Sequence, residues 1–259
     1  MTGSIYDSER LAAGYARRRP PVHRTILEAV SEYLQLTEPR STALDVGCGA
    51  GLSTAALENT AETVVGLEPV QTMLRYAPLV APGALWVIGR AEQLPFRAGR
   101  FSLVTAAGSL NYTDLDLFLP EARRVLTDDG VLVIYDFSPG RRLRDRDRLD
   151  KWYSEFEHRY PSPPGYDLKI RDVPYERHGL QLAGYQELEV AIPMSIGSYL
   201  SYVLTEANVE WAISRGEPEA RIQAWCEKTL SDVFGGRTLD VLFDAYIAYV
   251  RKADLEKEA

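Results

Sequence analysis

The run Leu44-Asp45-Val46-Gly47-Cys48-Gly49-Ala50-Gly51 constrains this chain more than any other stretch. Ala43–Val46 is apolar and short, which predicts a buried strand, and Leu52–Leu57 starts a helix directly after the glycines. Glycines spaced two apart let the backbone take positive φ in the tight turn and bring it close to a ligand. The first N–H groups of the helix then face that ligand without intrahelical partners.

The same strand-then-helix rhythm repeats. A helix is expected over 22–34, with Val22, Ile26, Leu27, Val30, Tyr33 and Leu34 on one face, ended by Thr37-Glu38-Pro39. Further strands are expected at Thr63–Leu67, Leu85–Ile88, Phe101–Ala106 and, after Asp129-Gly130, at Val131–Tyr135. Helices Gln71–Ala77 and Leu115–Leu126 lie between them. Apolar strands each followed by a helix imply a parallel sheet covered on both faces. Beyond residue 140 the pattern predicts a helix at Leu149–Tyr160, a strand at Tyr185–Ile192, helices over Ile196–Ser214 and Glu219–Phe234, and a closing strand at Leu239–Val250.

The expected fold is therefore α/β: a doubly wound, Rossmann-like, mostly parallel seven-stranded sheet with helices on both faces and a helical cap inserted before the last strand. Residues 1–21 form an N-terminal lid segment, 22–195 and 235–259 the main domain, and 196–234 the cap. The 259 residues, 46% hydrophobic, suffice for one such core. With 37 acidic against 29 basic side chains the net charge is −8, which disfavours a broad grip on nucleic acid or anionic lipid. Cys48 and Cys226 are the two cysteines, too few for a disulfide framework. No apolar run reaches the length of a membrane span, and the expected compartment is the cytoplasm. No His/Asp/Glu spacing resembles a metal site. The oligomeric state is left open.

The loop narrows the cofactor. A nicotinamide-type G-x-G-x-x-G would need glycine at 52, where Leu52 stands, and the Gly-Lys-Ser/Thr of a P-loop is absent. What fits is D-x-G-x-G-x-G. Glu68 ends the second strand, 21 positions after Gly47, near the spacing at which an acidic side chain reaches ribose hydroxyls.

The motifs LDVGCGAGLST, VVGLEPVQTMLRYA, AEQLPF, RFSLVTAAGSL and EARRVLTDDGVLVIYDFSP occur in that order between about residues 10 and 137. Together they resemble the class I S-adenosylmethionine-dependent methyltransferases, in particular the small-molecule branch of trans-aconitate-type and methyltransferase type 11-like enzymes. YARRRP, from Tyr15 to Pro20, resembles the N-terminal lid of the trans-aconitate type. The resemblance implies that Gly47, Cys48, Gly49 and Gly51 pass beneath the methionine part of S-adenosyl-L-methionine, with Asp45 orienting its ammonium directly or through water. It implies that Glu68 holds the ribose, Pro69 and Met73 touch the adenine face, Ala91 and Glu92 lie at the adenine edge, and Ala107 and Gly108 offer carbonyls near the ammonium. Tyr15 and Arg19 belong to the lid. Arg90 and Ser102 depart from the family pattern, each standing where the branch has aspartate.

The expected reaction is methyl transfer to a small-molecule acceptor, O- or N-methylation, with no nucleic acid or membrane partner. The alternatives are a cofactor-binding or non-methylating protein on the same fold, and a nucleic-acid or protein methyltransferase. Aligning acceptor atom, methyl and sulfur in one line is the main task, and a base is needed only for a protonated nucleophile. The candidate catalytic residues are His23, Asn111, Tyr112 and Asp136, each of which also has a plain structural reading as a cap, turn or packing residue. Met194, Tyr199 and Tyr202 are candidates for the far wall of the acceptor pocket, with core packing as the alternative.

Overall fold

The computed structural model of the protein describes residues 5–144, 147–163 and 168–253. Residues 1–4 of the expected N-terminal lid, Asp145 and Arg146, 164–167 and 254–259 lie outside the described residues. Five parallel strands run in the order β3 (Leu85–Ile88), β2 (Ala61–Glu68), β1 (Arg40–Val46), β4 (Phe101–Ala107) and β5 (Leu126–Phe137). The long strand β8 (Leu239–Lys252) pairs antiparallel with β5, and β7 (Leu180–Met194) pairs antiparallel with β8 over almost its whole length. Among the described residues there is an eighth strand that the sequence pattern did not show, the two-residue β6 (Arg142–Leu143). It is too short to carry a periodicity, and Arg142 ties it to β8 through Asp244 and to the neighbouring β7 through Glu189.

Both faces of the sheet are buried. On one, α2 (Val22–Tyr33) lays Val22, Ile26, Leu27 and Val30 over Ala43, Leu103, Val131 and Val133. On the other, α6 (Leu115–Val125) lays Phe118, Leu119, Ala122 and Val125 over Leu44, Val104, Leu132 and Ile134. Consecutive strand residues point to opposite faces, so a strand covered on both sides is mostly apolar, as the central parts of β1, β4 and β5 are, and the buried polar side chains Asp45, Ser102 and Thr105 are all hydrogen-bonded. Each such side chain taken fully out of water contributes about 1.5–3 kcal/mol.

Proline and threonine break two expected helices. Gln71–Ala77 is divided into α4 (Gln71–Leu74) and α5 (Ala77–Val80), because Pro78 lacks the N–H a continuing helix needs and instead sits in the first turn of the new one. Ile196–Ser214 is divided into α8 (Ile196–Val203) and α9 (Ala207–Ser214). Thr205 Oγ1 donates back to the carbonyl of Tyr202 at 2.6 Å, competing with helical continuation, and Glu206 takes extended backbone as the cap of α9. The cap is completed by α10 (Glu219–Phe234), whose Ile222, Cys226 and Leu230 are buried in a core shared with α7 (Arg148–Arg159).

The N-terminal segment is more ordered than its polarity suggests. Ser8 caps α1 (Glu9–Arg18), accepting from Leu11 N–H, and Leu11, Ala12 and Gly14 form a buried face. A Cβ on Gly14 would come within 2.8 Å of Thr205 Cγ2, so the helix meets the cap through its smallest residue. Arg10 completes the joint, bonding Glu210 at 2.5 Å, Glu219 at 3.1 Å and the Leu204 carbonyl at 3.0 Å. No helix among the described residues is long and apolar enough to cross a membrane.

Candidate functional site

The strand order reverses between β1 and β4, and a crevice opens there at the carboxyl ends of the parallel strands. It encloses about 520 Å³, within the range of small-molecule sites. The floor is the glycine loop. Gly47 has φ of +71°, and a Cβ there would overlap Ser109, so neither conformation nor space admits another residue. Gly51 has φ of +91° and caps α3 (Leu52–Leu57), turning the chain into the helix beside Ala77 and Trp86. Gly47, Cys48, Gly49, Ala50 and Ser53 all line the cleft.

Glu68 stands at the cleft's inner wall. Its Oε2 accepts from Gly49 N–H at 2.9 Å and its Oε1 from Val70 N–H at 2.8 Å. The carboxylate thus splints the loop after β1 to the loop after β2. Burial raises its pKa, and the two backbone donors oppose that rise. Pro69, Met73, Ala91, Glu92, Ala107 and Gly108 line the same cleft. Arg90 also lines it, and its Nε lies 3.3 Å from Glu92. Ser102, the other departure from the family pattern, is buried and donates to the Thr42 carbonyl at 3.1 Å.

Asp45 does not line the cleft. It is fully buried, with Oδ2 accepting from Ser53 at 2.6 Å and Thr54 at 2.7 Å, and Oδ1 from Thr105 at 2.9 Å. Burial raises its pKa against those three hydroxyls. Asp45 is thus a hub that sets the start of α3, and of its three partners Ser53 lines the cleft. Gly51 likewise shapes the loop without lining the cleft.

The outer half of the cleft gathers the candidate catalytic residues: His23, Asn111, Tyr112 and Asp136 all line it. Asp136 Oδ1 accepts from its neighbour's amide, Phe137 N–H, at 2.8 Å, and burial pushes its pKa up to about 6. His23 Nδ1 lies 2.9 Å from the Tyr135 hydroxyl, and burial, with Arg19 nearby, pushes its pKa down to about 4. Tyr112 is largely exposed at the rim and bonds the Tyr6 hydroxyl at 3.0 Å. From the N-terminal arm, Tyr15 stacks under the Arg19 guanidinium at 4.1 Å.

The far wall differs from the sequence expectation. Met194, Tyr199 and Tyr202 are in the core and do not line the cleft. Tyr199 Oη donates to the Gly140 carbonyl at 2.7 Å and Gly140 N–H donates to Tyr202 Oη at 3.1 Å. Both rings face inward because α8 packs its apolar side onto the sheet. The cap meets the cleft instead through Glu206 and Ala207, at the turn between α8 and α9. Sequence reading missed Tyr6, Ser53, Ser109, Phe137, Glu206 and Ala207. Ser109 and Phe137 adjoin strand ends already expected at the site, so extending those ends would have found them. Glu206 carried no signal, since it falls inside an apparently continuous helix.

Residues 44–134 match a protein-family model described as a methyltransferase domain. An uncharacterised methyltransferase of Synechocystis is 35% identical over 101 residues, 38% of this chain and 48% of that protein. The chain spans about half the length of the first curated relatives it matches. A structure described as a type II methyltransferase from Anaeromyxobacter dehalogenans superposes with a TM-score of 0.66 at 23% identity, covering 91% of this chain and 97% of that one. A geranyl diphosphate methyltransferase in complex with S-adenosylmethionine gives 0.51 at 15% identity, covering 89% and 85%. At these identities the two structures share the fold.

Proposed function

We propose, since residues 44–134 match a methyltransferase domain, that the protein transfers a methyl group from S-adenosyl-L-methionine to a small-molecule acceptor. The observation that carries this reading is the Glu68 carboxylate. Each of its oxygens holds one backbone N–H and keeps a lone pair for a further donor, which suits two neighbouring ribose hydroxyls. The glycine loop supports it, because Gly47, at φ +71° and with no room for a Cβ beside Ser109, lets the backbone form the floor of the cleft.

In this reading Pro69 and Met73 cover the adenine face, Ala91 and Glu92 its edge, and Ala107 and Gly108 the amino-acid end. The cofactor supplies a methyl group already activated on a positively charged sulfur. The protein's work is then to bind, align and dry the reactants. Asn111 and Phe137 flank the acceptor. Asp136 takes the proton of a hydroxyl or ammonium acceptor on its carboxylate, and a pKa of about 6 leaves it ionised yet basic at neutral pH. Residues 1–21 act as a lid and 196–234 as a cap, joined over the cleft through Arg19 and Glu206. A net charge of −8 favours a metabolite over nucleic acid.

The test is a cell-free metabolite extract incubated with methyl-labelled S-adenosylmethionine and the protein, with labelled products read by mass. A labelled small molecule that forms only with active protein is expected. Calorimetry that shows NAD binding and no S-adenosylmethionine binding would overturn the reading.

A further inference from the structure

His23 sits at the start of α2 with one ring nitrogen turned inward. Its Nδ1 lies 2.9 Å from the Tyr135 hydroxyl, and the His23 ring packs edge-on against Phe137 at 5.2 Å between centroids. Tyr135 is buried, 1% exposed, so its hydroxyl proton must find an acceptor inside the protein. Among the described residues the one polar atom bonded to that hydroxyl is His23 Nδ1. Were Nδ1 protonated, two hydrogens would compete for one contact, and the hydroxyl proton would be buried without a partner. The hydroxyl therefore donates and Nδ1 accepts. A neutral imidazole that accepts at Nδ1 carries its proton at Nε2, on a residue that lines the cleft.

We infer that His23 is not the base of the reaction but a fixed N–H donor, which selects acceptors bearing an oxygen beside the atom that is methylated. The class is a hydroxyl next to a carbonyl, carboxylate or second hydroxyl oxygen. His23 Nε2–H holds the second oxygen while Asp136 takes the proton of the first. The inference rests on the methyl-transfer reading for its setting, and on Tyr135 for its chemistry. A charged imidazole would be a donor at both nitrogens and would lose the bond from the tyrosine. Burial and the nearby Arg19 guanidinium keep the ring neutral, with its pKa pushed down to about 4. Tyr135 acts through His23 and is a positioning residue.

Two measurements test it. The chain has three histidines, so ring-nitrogen NMR of protein labelled at histidine gives three sets of signals, assigned with His158→Gln and His178→Gln. At pH 7 the His23 ring is expected neutral with Nδ1 bare and Nε2 protonated, and Tyr135→Phe is expected to release it into a mixture of tautomers. A protonated Nδ1, or an imidazolium at pH 7, overturns the inference. The second measurement is turnover of the labelled product from the extract assay. His23→Gln keeps an amide N–H near Nε2 and is expected to retain activity within about tenfold, with the acid limb of its pH profile unmoved. His23→Leu is expected to lose about 10- to 100-fold, the worth of one such hydrogen bond, chiefly in KM. Equal and severe loss in both variants means a base and overturns the proposal. The two readings fail separately: with no labelled product from the unaltered protein, methyl transfer falls while the tautomer is still read by NMR; with product formed and Nδ1 protonated, this inference falls and methyl transfer stands.

Discussion

Arg19 Nη1 lies 2.9 Å from Glu206 Oε1, so the end of the N-terminal arm is bound to the turn that interrupts the cap helices. Each side chain is 12% exposed. Arg19 also donates to the Thr205 carbonyl at 2.9 Å and lies between the rings of Tyr15 and Tyr202. The pair thus spans the mouth of the cleft.

Removing one partner of such a buried pair leaves the other charge without compensation, at a cost of about 3–5 kcal/mol. The arm can relieve that cost by undocking. Arg19→Ala is therefore expected to speed hydrogen exchange over residues 9–18 at least tenfold, and to weaken S-adenosylmethionine binding, while the main unfolding transition moves less. Exchange that stays as slow as in the unaltered protein would show an arm held by Arg10 and the α1 core face alone.

Glu68→Ala removes the splint between two loops as well as the proposed ribose contact. Hydrogen bonds to a charged group contribute about 1.5–3 kcal/mol each. Cofactor affinity by calorimetry is expected to fall more than tenfold, with a lower unfolding midpoint as well. Glu68→Gln keeps one acceptor oxygen and should recover part of both. An unchanged dissociation constant in Glu68→Ala would place the ribose elsewhere.

Asp136 and His23 make opposite contributions to the acid side of the stability curve. The folded pKa of Asp136 is raised, from 3.8 to about 6, so the folded state holds a proton the unfolded chain has released. Its contribution is most favourable below pH 3.8 and declines as pH rises through 6. The folded pKa of His23 is lowered, from 6.5 to about 4, so its contribution is complete above pH 6.5 and is lost as pH falls through 4. Each shift of two or so units corresponds to about 3 kcal/mol. Asp136→Asn is expected to raise the unfolding midpoint at pH 7.5 and not at pH 4, and His23→Gln to flatten the loss between pH 6.5 and 4. Denaturant titrations across that range check both signs.

What was legible in the sequence follows from periodicity and from local backbone demands. The parallel strands were readable because burial on both faces makes their central residues mostly apolar, and the cleft's inner half because Gly47, Gly49 and Glu68 obey rules of spacing. The outer half depends on tertiary docking. Glu206 reaches the cleft only because Thr205 bonds back to Tyr202 and ends a helix, an event with no periodic trace. Asp45 carries the family's motif position, yet three hydroxyls close around it, Ser53 and Thr54 from α3 and Thr105 from the distant strand β4. The arm looked polar because only Leu11, Ala12 and Gly14 of α1 face inward.

Tyr199 and Tyr202 test the corrected position of the far wall. Both hydroxyls close on Gly140, one on its carbonyl and one on its N–H, in a buried setting. Tyr199→Phe leaves the carbonyl and Tyr202→Phe the amide without a partner, each at about 1–3 kcal/mol. Because they share Gly140, the double variant should cost less or more than the sum, not the sum itself. Tyr199→Ala also opens a cavity and is expected to cost about 3–5 kcal/mol. In all of these variants that remain folded, S-adenosylmethionine binding should stay within about twofold, since no contact with the cleft is lost. Urea titrations and calorimetry on the same samples give both numbers. A Tyr→Phe variant with an unchanged midpoint and a strong loss of acceptor turnover would return that tyrosine to the pocket wall.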